Sequence, residues 1–159
     1  MFFTHNTLSE NIRTKSVALL NRHVAAAIDL HAQVKQAHWN VRGSNFIAVH
    51  ELFDRIAAEI EDDSDLIAER ARTLGGPAQG TVQVASANSF LVPYRLGVAD
   101  AKEHLFAVAG ALAAFEQSVR EAIDEAASNG DQETADVFTE IGRGVAKRLW
   151  FVESHLDSR

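Results

Sequence analysis

The chain has 159 residues, of which 47% are hydrophobic, with nine glycines, two prolines and no cysteine. This length and composition predict one domain with a buried core, residues 1–159, and give no case for a second domain. The lack of cysteine excludes a disulfide framework and cysteine-ligated zinc sites, and the net charge of −7 disfavours functions that need a basic surface.

The first residues, MFFTHNTLSENIR, lack a basic segment followed by a long apolar one. Nothing in them resembles a signal peptide, and the longest nearly apolar stretch of the chain is too short to span a bilayer. We therefore expect a soluble cytoplasmic protein.

The first helical pattern runs from about Leu8 to His38. A possible capping box, Thr7 to Glu10, opens it. Apolar side chains recur at helical spacing along this segment: Leu20, Val24, Ala27, Ile28 and Val34. The pattern predicts a long helix with one buried face.

The second helical pattern starts near Ser44, a plausible N-cap, and stops at Gly75-Gly76-Pro77. Its apolar stripe consists of Phe46, Val49, Phe53, Ile56, Ile60 and Ile67. From Thr73 to Tyr94 there is no charged residue, and small polar residues are frequent. This stretch predicts a long connection with one short helix.

Two further helical patterns follow the connection. The third long helix closes at Asn129-Gly130, and the fourth restarts at Asp131. Their apolar stripes contain Leu105, Val108, Leu112, Phe115, Val119 and Ile123, and then Val137, Ile141, Val145, Leu149, Val152 and Leu156. Four long helices with a long crossover between the second and third predict an all-α, ferritin-like four-helix bundle.

Five side chains of the metal-binding type lie in the first half of the chain: His38, His50, Asp54, Asp65 and Glu69. Two imidazoles and three carboxylates suit iron or a similar divalent ion. His50 and Asp54 are four residues apart, as are Asp65 and Glu69, so each pair shares a helix face. At about 1.5 Å rise per residue, Asp54 and Asp65 are about 16 Å apart along the axis. One ion cannot contact both pairs within one chain.

The two pairs meet if a second copy of the helix packs antiparallel against the first. A two-fold axis then brings His50 and Asp54 of one subunit to Asp65 and Glu69 of the other, and creates two identical sites. His38 precedes the break at 40–43, so a tight turn folds it back beside His50. A ferritin-like bundle usually binds two irons through Glu-x-x-His pairs, and this chain has none. The sequence therefore predicts a metal site at a subunit interface.

Each of these side chains taken alone has a simpler interpretation. Isolated carboxylates on a helix are usually solvated, and isolated histidines usually form surface hydrogen bonds. The joint spacing of all five favours the metal site.

Three segments carry a resemblance to a known family: HWNVRGSNF at 38–46, HELFD at 50–54 and DLIAER at 65–70. Together they resemble the signature of the Dps family, the miniferritins. The resemblance implies a spherical shell of twelve subunits that oxidises Fe(II), preferably with hydrogen peroxide. It also implies that the ferric product is stored inside as a mineral, which protects the cell from oxidative damage.

The resemblance also implies roles for single residues. His38, His50 and Asp54 match the iron ligands of one subunit, and Asp65 and Glu69 match those of its two-fold partner. Together they would bind a dinuclear iron centre. Trp39 matches the aromatic residue beside the centre, which supplies an electron or traps a radical, although packing alone also explains a tryptophan here.

Acidic residues near the start of the fourth helix, Asp131, Glu133 and Asp136, are candidates for a three-fold pore that attracts Fe(II). Asp136 is the stronger candidate beside Asp131, since pores in the family are acidic in this region. The alternative is ordinary carboxylate charge at a helix N-terminus, which the helix dipole favours.

The charge argues against DNA binding. Twelve subunits of −7 carry a formal −84, and no Lys or Arg precedes Arg13. We predict weak or absent DNA binding near neutral pH. Two alternatives to the ferroxidase remain open: a nucleoid-organising shell with a structural metal site, and a cage that only sequesters zinc or manganese. The complete ligand set beside Trp39 favours the ferroxidase.

Overall fold

The computed structural model describes residues 1–156. Within them lie five helices and no strand: α1 (Glu10–Asn40), α2 (Phe46–Thr73), α3 (Val82–Asn88), α4 (Ala101–Ser128) and α5 (Gln132–Glu153). The helix α1 packs against α2 and α4, and α5 packs against α4 and α2. This is the predicted all-α, ferritin-like four-helix bundle, and the long crossover between α2 and α4 carries the predicted short helix, α3.

Two predicted helix starts were wrong. The side chain of Ser9, not Thr7, caps α1 by accepting a hydrogen bond from the backbone N–H of Ile12 at 3.3 Å. The helix α2 begins at Phe46, and Asn45 rather than Ser44 holds the cap position without a capping hydrogen bond from its side chain. Several polar residues precede each helix, so the sequence pattern locates each helix start only to within one or two residues.

The predicted boundary between the third and fourth long helices is confirmed. Gly130 has a φ of +86°, a left-handed conformation that favours glycine. Asp131 caps α5 by accepting from the backbone N–H of Thr134.

A five-residue turn, 41–45, joins α1 to α2. Val41 is buried and donates its backbone N–H to the carbonyl of Ala37 at 2.9 Å, which closes α1. Gly43 has a φ of +129°, which the following reversal of the chain requires. The turn makes α1 and α2 antiparallel neighbours, so that the end of α1 lies beside the start of α2.

The core of the bundle draws on all four long helices. Its largest fully buried side chains include Phe53, Phe115, Phe138, Leu20, Leu30, Ile56, Ile60, Leu112 and Ile141. A polar link joins α2 to α5, because the buried guanidinium of Arg148 donates to Glu59 at 2.8 Å and also to Asp63. None of the helices in the described part of the chain is long and apolar enough to cross a membrane.

Hydrogen bonds fasten the crossover to α1. Ser89 donates its hydroxyl to the carboxylate of Asp29 at 2.5 Å, and the Gln33 amide donates to the carbonyl of Val92 at 3.1 Å. The crossover is therefore held on the bundle up to the residues that precede α4.

Candidate metal centre

The two histidines of the predicted site face each other across the α1–α2 turn. The rings of His38 and His50 stack with their centroids 3.8 Å apart. Nδ1 of His38 lies 2.9 Å from the carbonyl oxygen of His50, and Nδ1 of His50 lies 2.9 Å from that of His38. A carbonyl only accepts, so each Nδ1 carries the ring hydrogen of the neutral imidazole. Both Nε2 atoms therefore keep a lone pair for a metal ion.

Asp54 lies one helical turn after His50 on α2. Its Oδ1 is 3.7 Å from Nε2 of His38, and its side chain is exposed. The structure therefore places His38 beside both His50 and Asp54 at one edge of the α1–α2 pair.

Lys35 is a neighbour of this group that sequence reasoning missed. Its ammonium donates to Oδ1 of Asp54 at 2.6 Å and lies 5.8 Å from the ring centroid of Trp39. This hydrogen bond is the main cause that lowers the pKa of Asp54 below its ordinary value. Lys35 precedes His38 by three residues, so the shared helix face was the signal that could have found it.

The other two predicted ligands, Asp65 and Glu69, lie further along α2 and are exposed. Neither carboxylate forms a hydrogen bond or salt bridge with another residue of 1–156. Within that same range, no three His, Asp or Glu side chains are grouped closely enough to bind a metal ion. One subunit therefore does not bring the five predicted ligands together, and the two carboxylates are free for an interaction outside it.

Large apolar side chains close to the two histidines in the chain are exposed. Trp39 is 68% exposed and Ile47 is 59% exposed, while the ring of Phe46 lies 4.9 Å from that of His50. Large apolar side chains that cluster on a surface often mark a contact with another protein. The edge that carries His38 and His50 therefore has the character of a subunit interface.

The two pore candidates occupy different environments. Asp131 is 1% exposed; it accepts hydrogen bonds from Thr134 and pairs with the guanidinium of Arg70 at 2.8 Å. Burial acts to raise the pKa of Asp131, but hydrogen bonds from neighbouring hydroxyl groups, that of Thr134 among them, and the charge of Arg70 lower it below its ordinary value. The expected pore role of Asp131 does not fit this position, because the carboxylate is already bonded inside the subunit. Asp136 is exposed on α5 and stays a prediction.

Comparison with known proteins places the chain in a family. The model of the ferritin-like domain matches residues 17–159. A DNA protection during starvation protein from Agrobacterium fabrum is 38% identical over 156 residues, which are 98% of this chain and 96% of that protein. The protein of the same name from Brevibacillus brevis is 30% identical over 150 residues, covering 94% of this chain and 100% of that protein.

The backbone of this chain superposes closely on solved structures of other proteins. Mycobacterium smegmatis Dps in its tetragonal form superposes with a TM-score of 0.93 at 29% identity, covering 99% of this chain and 95% of that one. DpsA14 from Streptomyces coelicolor gives a TM-score of 0.92 at 35% identity, covering 98% and 92% of the two chains. The chain therefore belongs to the Dps family of ferritin-like proteins.

Proposed function

We propose that this protein is a miniferritin that oxidises Fe(II) with hydrogen peroxide at dinuclear sites on two-fold subunit interfaces. Twelve subunits form a hollow bacterial shell in the cytoplasm, which stores the ferric product and protects the cell from oxidative damage. One observation carries this proposal. The hydrogen bonds of His38 and His50 leave both Nε2 lone pairs free, and Nε2 of His38 faces Asp54 on an exposed edge.

The remaining ligands come from the partner subunit. Asp65 and Glu69 lie on the same helix as His50 but too far along it to reach the same ion. Their carboxylates make no contact that would hold them within the described residues. An antiparallel contact between two copies of α2 supplies them to the histidine pair and generates two equivalent sites.

The ligand set fits the chemistry of iron oxidation. Imidazole nitrogens hold the ferrous substrate, and hard carboxylate oxygens stabilise Fe(III) more than Fe(II). Two Fe(II) ions at one centre give two electrons to one peroxide, which becomes water without release of hydroxyl radical. Trp39, directly after His38 in the sequence, supplies an electron or traps a radical at the centre.

Fe(II) reaches the interior through pores at the three-fold axes. Asp136 and Glu133 are exposed near the start of α5, and we assign the negative potential of the pore to this segment. Asp131 takes no part, since it is buried against Arg70.

DNA binding is weak or absent near neutral pH. The formal charge of a twelve-subunit shell is −84 from −7 per subunit. The N-terminal segment is held on the bundle: Phe2 donates its backbone N–H to Gly75 at 2.6 Å, and Arg72 stacks over the Phe2 ring. Two relatives are named for DNA protection, but a steep, salt-sensitive shift of duplex DNA by low micromolar protein would contradict this part of the proposal.

The first test is anaerobic loading with Fe(II) followed by hydrogen peroxide, with ferric absorbance recorded. We expect fast oxidation by the wild type and loss of it when His50→Ala and Asp65→Ala are combined in one chain. Asp62→Ala, an exposed carboxylate of α2 outside the ligand set, is the matched control and keeps the wild-type rate. Equal, slow rates in all three proteins would leave a structural or DNA-organising shell.

Mixed assemblies locate the site at the interface. When one subunit carries His50→Ala and its two-fold partner carries Asp65→Ala, both changes fall on one site and the other site stays intact. When one subunit carries both changes and its partner is wild type, each site loses one ligand. We therefore expect activity in the first mixture and not in the second; a site inside one subunit gives the reverse order.

Comparing zinc or manganese binding with Fe(II) oxidation distinguishes a non-catalytic cage from a ferroxidase. Both ions fit the same ligands, and redox-inert zinc would occupy the site without turnover. A protein that binds zinc tightly but oxidises Fe(II) no faster than buffer would be a sequestering cage.

A further inference from the structure

The first residues of the chain leave three consecutive apolar side chains exposed. Met1 is 47% exposed, Phe2 56% and Phe3 88%. The ring of Phe3 meets only the edge of the His5 ring, with the centroids 5.0 Å apart. A cluster of large exposed apolar side chains marks a contact with another molecule. We name residues 1–5 the N-terminal strap.

The strap is seated on the end of α2. The backbone N–H of Phe2 donates to the carbonyl of Gly75 at 2.6 Å, and the guanidinium of Arg72 lies 4.5 Å from the Phe2 ring centroid. A Cβ at position 75 would lie 2.8 Å from the carbonyl oxygen of Phe2, closer than side chains approach a backbone. Glycine at this position therefore lets the strap lie directly on the helix end, at one defined place.

A second group of exposed apolar side chains lies at the opposite end of α2. Trp39 is 68% exposed, Phe46 38% and Ile47 59%. We name these three residues the apolar edge. The 28 residues of α2 separate it from the strap by about 40 Å at a rise of about 1.5 Å per residue. The strap of one subunit therefore cannot cover the apolar edge of the same subunit.

The proposed two-fold contact brings the two surfaces together. Antiparallel packing that places His50 opposite Glu69 of the partner subunit also fixes the pairing one turn further out. Ile47 precedes His50 by three residues, and Arg72 follows Glu69 by three. Ile47 of the partner subunit thus lies opposite Arg72, the residue that holds the ring of Phe2.

We propose that the N-terminal strap of each subunit docks on the apolar edge of its two-fold partner, so that each two-fold contact carries two straps. This inference rests on the proposed interface site for iron oxidation. The occupant of the apolar edge is a second copy of this chain, because both surfaces are apolar and the proposed register aligns them. Nucleic acid and anionic membranes are disfavoured as occupants, since no Lys or Arg precedes Arg13 and the net charge is −7.

Paired cysteines test whether the two surfaces meet. The chain has no cysteine of its own, and a disulfide needs Cα atoms no more than about 7 Å apart. Phe3→Cys and Ile47→Cys in one chain are too far apart to react within a subunit, and cysteine keeps both positions apolar. We expect covalent dimers on a non-reducing gel after mild oxidation or with a short bis-maleimide. Neither single variant should give them, and no dimer with either reagent would overturn the proposal.

A second experiment measures how much the strap contributes to assembly. Sedimentation velocity over a dilution series, at one urea concentration that brings wild-type dissociation into range, gives the concentration at which metal-free protein dissociates. We expect Phe3→Ser to raise this concentration about tenfold or more, the equivalent in affinity of burying one phenylalanine side chain. Phe3→Leu stays apolar and keeps the wild-type value. An unchanged value for Phe3→Ser would contradict the docking.

A further cysteine pair separates the two proposals. Ile47→Cys with Arg72→Cys tests the antiparallel contact of α2 without the strap. Dimers from this pair but not from the Phe3 pair refute the strap and leave the proposed interface standing. No dimers from either pair refute both the register and the docking. Dimers from the Phe3 pair alone support the docking and contradict the register, and none of these readouts depends on iron oxidation.

Discussion

At the candidate centre, the ammonium of Lys35 is bonded to the Asp54 oxygen that faces His38. A metal ion must displace this ammonium or bind beside it, and the two positive charges repel. We expect Lys35→Met to tighten binding of Co(II), used as a probe for Fe(II), by about two- to fivefold, as for other exposed charge pairs. Titration calorimetry measures this, with Lys15→Met on the exposed face of α1 as control. Unchanged or weaker binding would show that Lys35 does not compete.

His23 makes stability depend on pH. It is fully buried, with Nδ1 at 2.9 Å from the Leu19 carbonyl and Nε2 at 3.0 Å from the Ser118 hydroxyl. Burial is the main cause that lowers its pKa from 6.5. Below that pH the unfolded chain binds a proton that the folded chain resists, so the free energy of unfolding falls as pH decreases.

The free energy of unfolding then changes with pH by up to about 1.4 kcal/mol per pH unit for this one group. This limit applies where the pH lies well below 6.5 and above the pKa of His23 in the folded chain. We expect denaturant unfolding of metal-free protein at fixed concentration to show a steeper loss between pH 7.5 and 5.5 for wild type than for His23→Gln. His155→Gln, at an exposed position, keeps the wild-type slope. Parallel slopes for all three proteins would exclude His23 as the cause.

Among single residues, the break at 40–43 predicted that the turn folds His38 back beside His50, and the two rings do stack. Spacing could not predict that Asp131 is buried. Its guanidinium partner, Arg70, is 61 positions away in the chain, and only the packing of α2 against α5 brings them together.

At the scale of elements, the contact of Asp131 with Arg70 joins the start of α5 to the end of α2. The same carboxylate also caps α5 through Thr134. Asp131→Ala removes both interactions and leaves a largely buried guanidinium, so we expect a loss of about 3 kcal/mol in the free energy of unfolding. Asp131→Asn loses less because asparagine still caps.

Glu133→Ala provides the control, because Glu133 pairs with the same arginine but is exposed. We expect it to cost about 0.5 kcal/mol or less. Chemical unfolding of all three variants measures the order, and an equal loss for Asp131→Ala and Glu133→Ala would contradict the assigned role of the buried carboxylate.

The sequence predicts the order of the helices better than it predicts where each helix begins and ends. The four long apolar stripes and the uncharged crossover predicted the bundle, since a period of 3.6 residues over more than 20 residues has few other solutions. The start of α1 was missed because Thr7 and Ser9 are both competent caps. The side chain of Arg13 bonds the carbonyls of Leu8 and Leu74, which fixes the chain there by a contact with a distant residue.

For the whole molecule, the decisive property is that one subunit leaves both its apolar edge and two of its predicted ligands uncovered. Ile47 is 59% exposed on the first turn of α2, close in sequence to His50, and contributes no ligand atom. If the site is assembled between subunits, a charge at this position should lower iron oxidation although all five ligands remain. A site within one subunit would be unaffected.

We therefore expect Ile47→Asp to weaken the two-fold contact, because burying an unpaired carboxylate there costs several kcal/mol. Sedimentation velocity should show smaller species, and ferric absorbance after peroxide should fall in proportion to the dissociated fraction. Ile47→Val keeps an apolar side chain and should preserve both assembly and rate. Because dissociation depends on concentration, raising the concentration of Ile47→Asp should restore both together. A dissociated variant with full activity would place iron oxidation inside the subunit.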